Sequence, residues 1–159
     1  MPTVMFVCTA NLCRSPIAVF LFKKWLQQHR ITGSWHVESC GTWAQDGECV
    51  VSSVLPHLLA AGIDLRHHRS RSITSDLLAE SDLVLCMTSF HKEALQVEFP
   101  QYAARVYMLS EMIMQRYDIP DVAMVSPEEY LAVVKELGPI VERSAPHIIA
   151  LLQKGSDSV

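Results

Sequence analysis

Val4-Met5-Phe6-Val7-Cys8-Thr9-Ala10-Asn11-Leu12-Cys13-Arg14-Ser15-Pro16-Ile17-Ala18 runs from a continuous apolar stretch through a short polar segment into the start of a helical pattern. Residues 4–7 read as a parallel strand buried on both faces, since such strands are apolar at every position rather than at alternate ones. Ser15 suits an N-cap, and Pro16 suits the first helical position, where its missing N–H is no loss. Ile17, Leu21 and Trp25, with Ala18, Phe22 and Leu26 beside them, repeat every fourth residue and predict the buried stripe of a helix. The loop between strand and helix therefore ends at unpaired backbone N–H groups and the positive end of a helix dipole, which favour a phosphate dianion.

The side chains of this loop suggest chemistry as well as binding. Thiols beside a helix N-terminus and an arginine ionise readily and become nucleophiles, which marks Cys8. Arg14 offers a planar fork to two phosphoryl oxygens and keeps its charge at any working pH. Asn11 tolerates the left-handed backbone of a tight anion nest. The Ser15 hydroxyl is placed to donate to the thiolate and steady it as a leaving group.

Composition agrees with a compact enzyme. At 159 residues and 50% hydrophobic, the chain is expected to form one domain, with a short polar tail over 154–159. No stretch approaches membrane-spanning length, and no signal peptide is apparent. Cys8, Cys13, Cys40, Cys49 and Cys86 are odd in number and not spaced like a secreted disulfide framework, so a reducing cytoplasm is expected. A formal net charge of −4 argues against non-specific nucleic-acid binding. No CxxC or HExxH spacing occurs, so no metal and no cofactor is expected.

Alternating apolar runs and helical patterns predict an α/β fold, a doubly wound, four-stranded parallel sheet flanked by helices, with the phosphate loop after the first strand. Strands are expected at 4–7, 35–39, 83–87 and 106–109, and helices at 52–61, 74–80, 89–98 and much of 127–153. Gly138-Pro139 and Pro146 interrupt the last pattern and predict either two helices or a kinked one. In such sheets ligands sit beyond the carboxyl ends of the strands, where Cys8 falls.

The segment Val7-Cys8-Thr9-Ala10-Asn11-Leu12-Cys13-Arg14-Ser15-Pro16 resembles the CxxxxxR-[Ser/Thr] signature of the low-molecular-weight protein tyrosine phosphatases, bacterial type. The resemblance continues through residues 38–43, 62–64, 68–71 and 82–88. It implies that Thr9, Ala10, Asn11, Leu12, Cys13 and Ser15 hold the phosphoryl group together with Arg14, that Cys8 is the nucleophile, and that Ser39 and His68 tie the loop by hydrogen bonds. It also implies a phosphorylated protein as substrate, phosphate-like oxyanions as ligands, no nucleic-acid or membrane partner, and a monomer or weak dimer. Trp43 is either ordinary core or the aromatic wall of the pocket. Cys13, five residues from Cys8, is either a small buried residue or the partner in a reversible protective disulfide.

The family supplies a general acid from a late aspartate followed by proline and an aromatic residue. Here the match falls on Asp121, but Val122 and Ala123 replace those two residues, leaving Met124 as a candidate wall and Asp118 as a rival acid. The chain is also similar to bacterial protein arginine phosphatases, in Ser39-Cys40-Gly41, in Met87-Thr88 before His91-Lys92, and in Glu128-Glu129-Tyr130. Those enzymes favour threonine where Leu12 stands, which makes phosphoarginine the alternative substrate. Arsenate reductases share the cradle but need a relay of two further cysteines, and none follows Cys86. A weakened relative that chiefly binds phosphoproteins is the last alternative.

Overall fold

The computed structural model describes residues 1–154, so all but the first residue of the expected polar tail lies outside the described residues. The chain runs β1 (Thr3–Cys8), α1 (Arg14–Gln28), β2 (His36–Gly41), α2 (Leu55–Ala60), α3 (Ser75–Glu80), β3 (Leu83–Cys86), α4 (Ser89–Glu98), β4 (Val106–Met108) and α5 (Pro127–Lys154). Two 3-10 turns, Pro100–Arg105 and Leu109–Ile113, flank β4.

The four strands are parallel in the order β2-β1-β3-β4. Alternation along β1 sorts its side chains onto two faces. Val4, Phe6 and Cys8 pack with Ile17, Phe22 and Leu26 of α1 and with Tyr130, Leu137 and Ile148 of α5. Met5 and Val7 pack on the other face with Leu78 of α3 and Leu95 of α4. Because the chain turns one way from β1 to β2 and the other way to β3, the carboxyl end of β1 lies at the switch point of the sheet. Cys8 is its last residue.

Two local expectations are corrected and a third is narrowed. The helix foreseen over 52–61 begins only at Leu55, because Pro56 has no N–H to give a preceding turn and is tolerated only in the first one. α1 begins at Arg14 with Cys13 at the N-cap, so Ser15 lies inside the first turn and its hydroxyl is used elsewhere. Of the two alternatives at Pro139 and Pro146, the division into two helices is excluded: α5 is one helix through both. Leu137, Ile140, Val141, Ala145, Ile148 and Ile149 form an unbroken buried stripe along it, and that packing outweighs the lost backbone bonds. Among the described residues no helix is long and apolar enough to cross a membrane.

Candidate active site

Asn11 organises the loop between β1 and α1. It is fully buried, with φ 59, in the left-handed region that its residue type tolerates. Its side-chain oxygen accepts the Arg71 N–H at 3.0 Å, which fixes the amide orientation. The amide nitrogen then donates to Ser15 Oγ and Ser39 Oγ, both at 2.9 Å. Its backbone carbonyl accepts His68 Nε2–H at 2.6 Å. That bond requires the proton on Nε2, and burial, the largest influence, pushes the His68 pKa down.

The same amide bears on the partner of the Cys8 thiol. Ser15 Oγ lies 2.9 Å from Cys8 Sγ. Since that oxygen already accepts from Asn11, its single hydrogen is free to donate to sulfur. Cys8 itself is buried, at the end of a strand and the mouth of a cavity lined also by Thr9, Ala10, Cys13, Arg14, Asp121 and Met124. Cys13 is a free, buried thiol, and burial, followed by the charge on Cys8, pushes its pKa up to about 12. It therefore stays protonated and does not compete as a nucleophile.

Arg14 is only 3% exposed, and its guanidinium is held on three sides. Nη1 donates to the Ile119 carbonyl at 2.9 Å, Nη2 donates to Thr9 Oγ1 at 3.3 Å, and Nη2 lies 3.2 Å from Asp121 Oδ1. Asp121 is 63% exposed and also accepts the Val122 N–H at 2.9 Å. Asp118 points elsewhere, accepting the Ser89 N–H at 2.8 Å at the start of α4. Of the two aspartates, only Asp121 lines the cavity.

The loop that carries Asp121 lacks the proline of the family pattern, and other contacts hold it. Ile119 N–H donates to the Met87 carbonyl at 2.8 Å on the entering side. On the leaving side Met124, with φ 59, donates its N–H to Glu129 Oε2 at 2.8 Å. Met124 lines the cavity. Trp43 is 84% exposed, so its ring is not core, while its N–H donates to the Thr9 carbonyl at 3.0 Å. Leu12 is half-buried, does not line the cavity, and offers its carbonyl to Tyr130 Oη–H at 3.1 Å.

Sequence reasoning missed several groups here. The Ile119 carbonyl is a backbone group and leaves no residue signature. Tyr130 and His91 were legible only as parts of a family likeness, not as contacts to Leu12 and Thr9. Gly41 has a steric role, since a Cβ there would overlap the Thr9 carbonyl oxygen. Cys86 is fully buried, and burial pushes its pKa up. Among the described residues no three His, Cys, Asp or Glu side chains gather closely enough to hold a metal ion.

Fold and site together describe a parallel α/β protein with an anion-sized cradle at the switch point of its sheet, opening at a helix N-terminus. The family model for low molecular weight phosphotyrosine protein phosphatases matches residues 3–156, and the chain belongs to that family. A low molecular weight protein-tyrosine-phosphatase, PtpB of Staphylococcus haemolyticus, is 35% identical over 118 residues, covering 74% of this chain and 79% of the relative. The protein-arginine-phosphatase of Bacillus subtilis is 34% identical over 110 residues, covering 69% and 71%. A solved YwlE arginine phosphatase variant with a phosphorylated active-site serine superposes with a TM-score of 0.83 at 29% identity, covering 92% of this chain and 95% of that one.

Proposed function

We propose that the protein hydrolyses phosphotyrosine in proteins through a cysteinyl-phosphate intermediate on Cys8. One observation carries the reading: Cys8, Arg14 and Asp121 line one cavity, with Ser15 Oγ 2.9 Å from the sulfur. The Cys8 thiolate attacks phosphorus in line, forming the S–P bond as the P–O bond to the phenol breaks. Backbone N–H groups from Thr9 to Ser15 and the Arg14 fork hold the three equatorial oxygens. Asp121, protonated when it leaves its contact with Arg14, gives that proton to the departing phenol, then as carboxylate takes one back from the water that hydrolyses the thiophosphate. Ser15 donates to the sulfur as it leaves. Ser39 and His68 act through Asn11 by holding the loop curved, and Trp43 and Met124 serve as the walls against the substrate ring.

The same reading places the enzyme in a reducing cytoplasm, where the thiol stays free, acting as a monomer or weak dimer on phosphoproteins and binding phosphate-like oxyanions. Its test is steady-state hydrolysis of phosphotyrosine and phosphoarginine peptides side by side, with reductant and without added metal. A strong phosphotyrosine preference is expected. Protein-arginine phosphatase activity is the second reading, favoured by the likeness to the Bacillus subtilis enzyme. A phosphoarginine preference in the same assay would put it first.

A further inference from the structure

Thr9 follows the nucleophile and lines the cavity, and its hydroxyl faces two partners from different parts of the chain. Arg14 Nη2 donates to Thr9 Oγ1 at 3.3 Å, and His91 Nε2 lies 2.8 Å from the same oxygen. His91 sits in the first turn of α4, buried at 2% exposure. Its other ring nitrogen lies 2.9 Å from Oγ1 of Thr88, the α4 N-cap, which also accepts the His91 backbone N–H at 3.2 Å.

Both nitrogens of the imidazole are therefore engaged, each on a threonine whose β-branched side chain is stiff about χ1. The hydrogen inventory closes in either tautomer. If Nε2 carries the proton it donates to Thr9, and Thr88 donates to Nδ1; if Nδ1 carries it, the directions reverse. In both cases Thr9 Oγ1 keeps a lone pair for Arg14. Burial first, and the Arg14 charge second, hold the His91 pKa down to about 4, so the ring stays neutral beside the guanidinium.

We propose that His91 is a positioning residue for the phosphoryl clamp: by fixing the Thr9 hydroxyl it fixes the Nη2 edge of Arg14. The Ile119 carbonyl holds Nη1 from the other side. Two held edges define the guanidinium plane, and two-pronged contact with phosphoryl oxygens depends on that plane. α4, which supplies no atom to the cavity's lining, thus acts on the clamp from behind. The inference rests on the reading of Arg14 as the clamp.

Asparagine and glutamine separate the two ends of the ring, because an asparagine amide reaches about as far as Nδ1 and a glutamine amide about as far as Nε2. H91N keeps a partner for Thr88 and loses Thr9; H91Q keeps a partner for Thr9. The measurements are the inhibition constant of inorganic phosphate, kcat and KM for aryl phosphates of graded leaving-group pKa, and Tm. H91N is expected to weaken phosphate inhibition and raise KM by about tenfold, the scale of one hydrogen bond to a charged group. The leaving-group dependence should stay unchanged, and H91Q should recover most of the loss. T9V should match H91N, and the double variant should be no worse than either single.

Wild-type phosphate affinity in H91N, effects of H91N and T9V that multiply, or equal losses in H91N and H91Q accompanied by equal falls in Tm would each overturn the inference. R14K serves as the control for the underlying reading. Unchanged phosphate affinity in R14K would remove Arg14 from the clamp, whereas a loss in R14K with none in H91N would leave the clamp and remove the strut.

Discussion

The loop over residues 9–13 and the loop over residues 117–126 meet at one cavity and are held in opposite ways. In the first, the side chain at the centre, Asn11, is fully buried and bonded at every polar atom to Ser15, Ser39 and Arg71. In the second, Asp121 is 63% exposed, and the fixed points are at the margins, Asp118 and Ile119 before it and Met124 after it. The difference suits two tasks. An anion cradle acts by being preorganised, so that no reorganisation is needed as charge moves. In the role proposed for Asp121, a general acid that leaves Arg14, reaches the ester oxygen and later faces water needs room to swing.

The sharpest way to break the comparison is at the nucleophile. Cys8→Ser should reduce turnover to background while inorganic phosphate still binds, because the cradle's donors are untouched. Phosphate titration beside a turnover assay measures both, and retained turnover would remove Cys8 from its role. Asp121→Ala comes next, with a fall of about 10²- to 10⁴-fold on substrates with poor leaving groups and far less on activated aryl phosphates. Asp118→Ala should show no such dependence on the leaving group. Equal slowing of all substrates by Asp121→Ala would take it out of the acid role.

Gly41→Ala tests the rigid loop from outside the site. The added methyl group overlaps the Thr9 carbonyl oxygen and approaches Asn11, where backbone has little freedom to move. A loss of about 1–3 kcal/mol in denaturant unfolding is expected, as for overpacking elsewhere. Turnover should fall alike for good and poor leaving groups, since the acid loop is not involved. Glu129→Ala should have the smallest effect. It releases the Met124 N–H and one end of the acid loop, so a fall of a few-fold is expected on poor leaving groups, with phosphate inhibition unchanged.

The parts of this protein legible in the sequence are those where local pattern and tertiary need coincide. The apolar run of β1 and the helix expected over 89–98 appear with nearly the expected ends, because burial on two faces and a threonine N-cap that accepts a first-turn N–H are encoded within a few residues. Cys8 and Arg14 stood out for the same reason, six positions apart across a strand-to-helix loop. Ser15 shows the opposite case. Its residue type suits an N-cap, yet the Asn11 amide and the Cys8 sulfur take its hydroxyl, and the helix begins one residue earlier without a side-chain cap. Pro139 and Pro146 left open whether α5 divides, and a continuous buried stripe keeps it one helix.

By itself, then, the sequence determined the order of strands and helices, the polar loop at the end of β1 and the cysteine and arginine that bracket it. These depend on short-range spacing and on which residue types can be buried. Only the tertiary structure decided which aspartate shares the cavity with Arg14, that the Ile119 carbonyl and Thr9 hydroxyl hold the guanidinium, and that His91 stands behind Thr9. Those pairings join residues as far apart as Arg14 and Asp121, through backbone groups and shared hydrogen bonds that carry no residue signature until the sheet brings its carboxyl ends together.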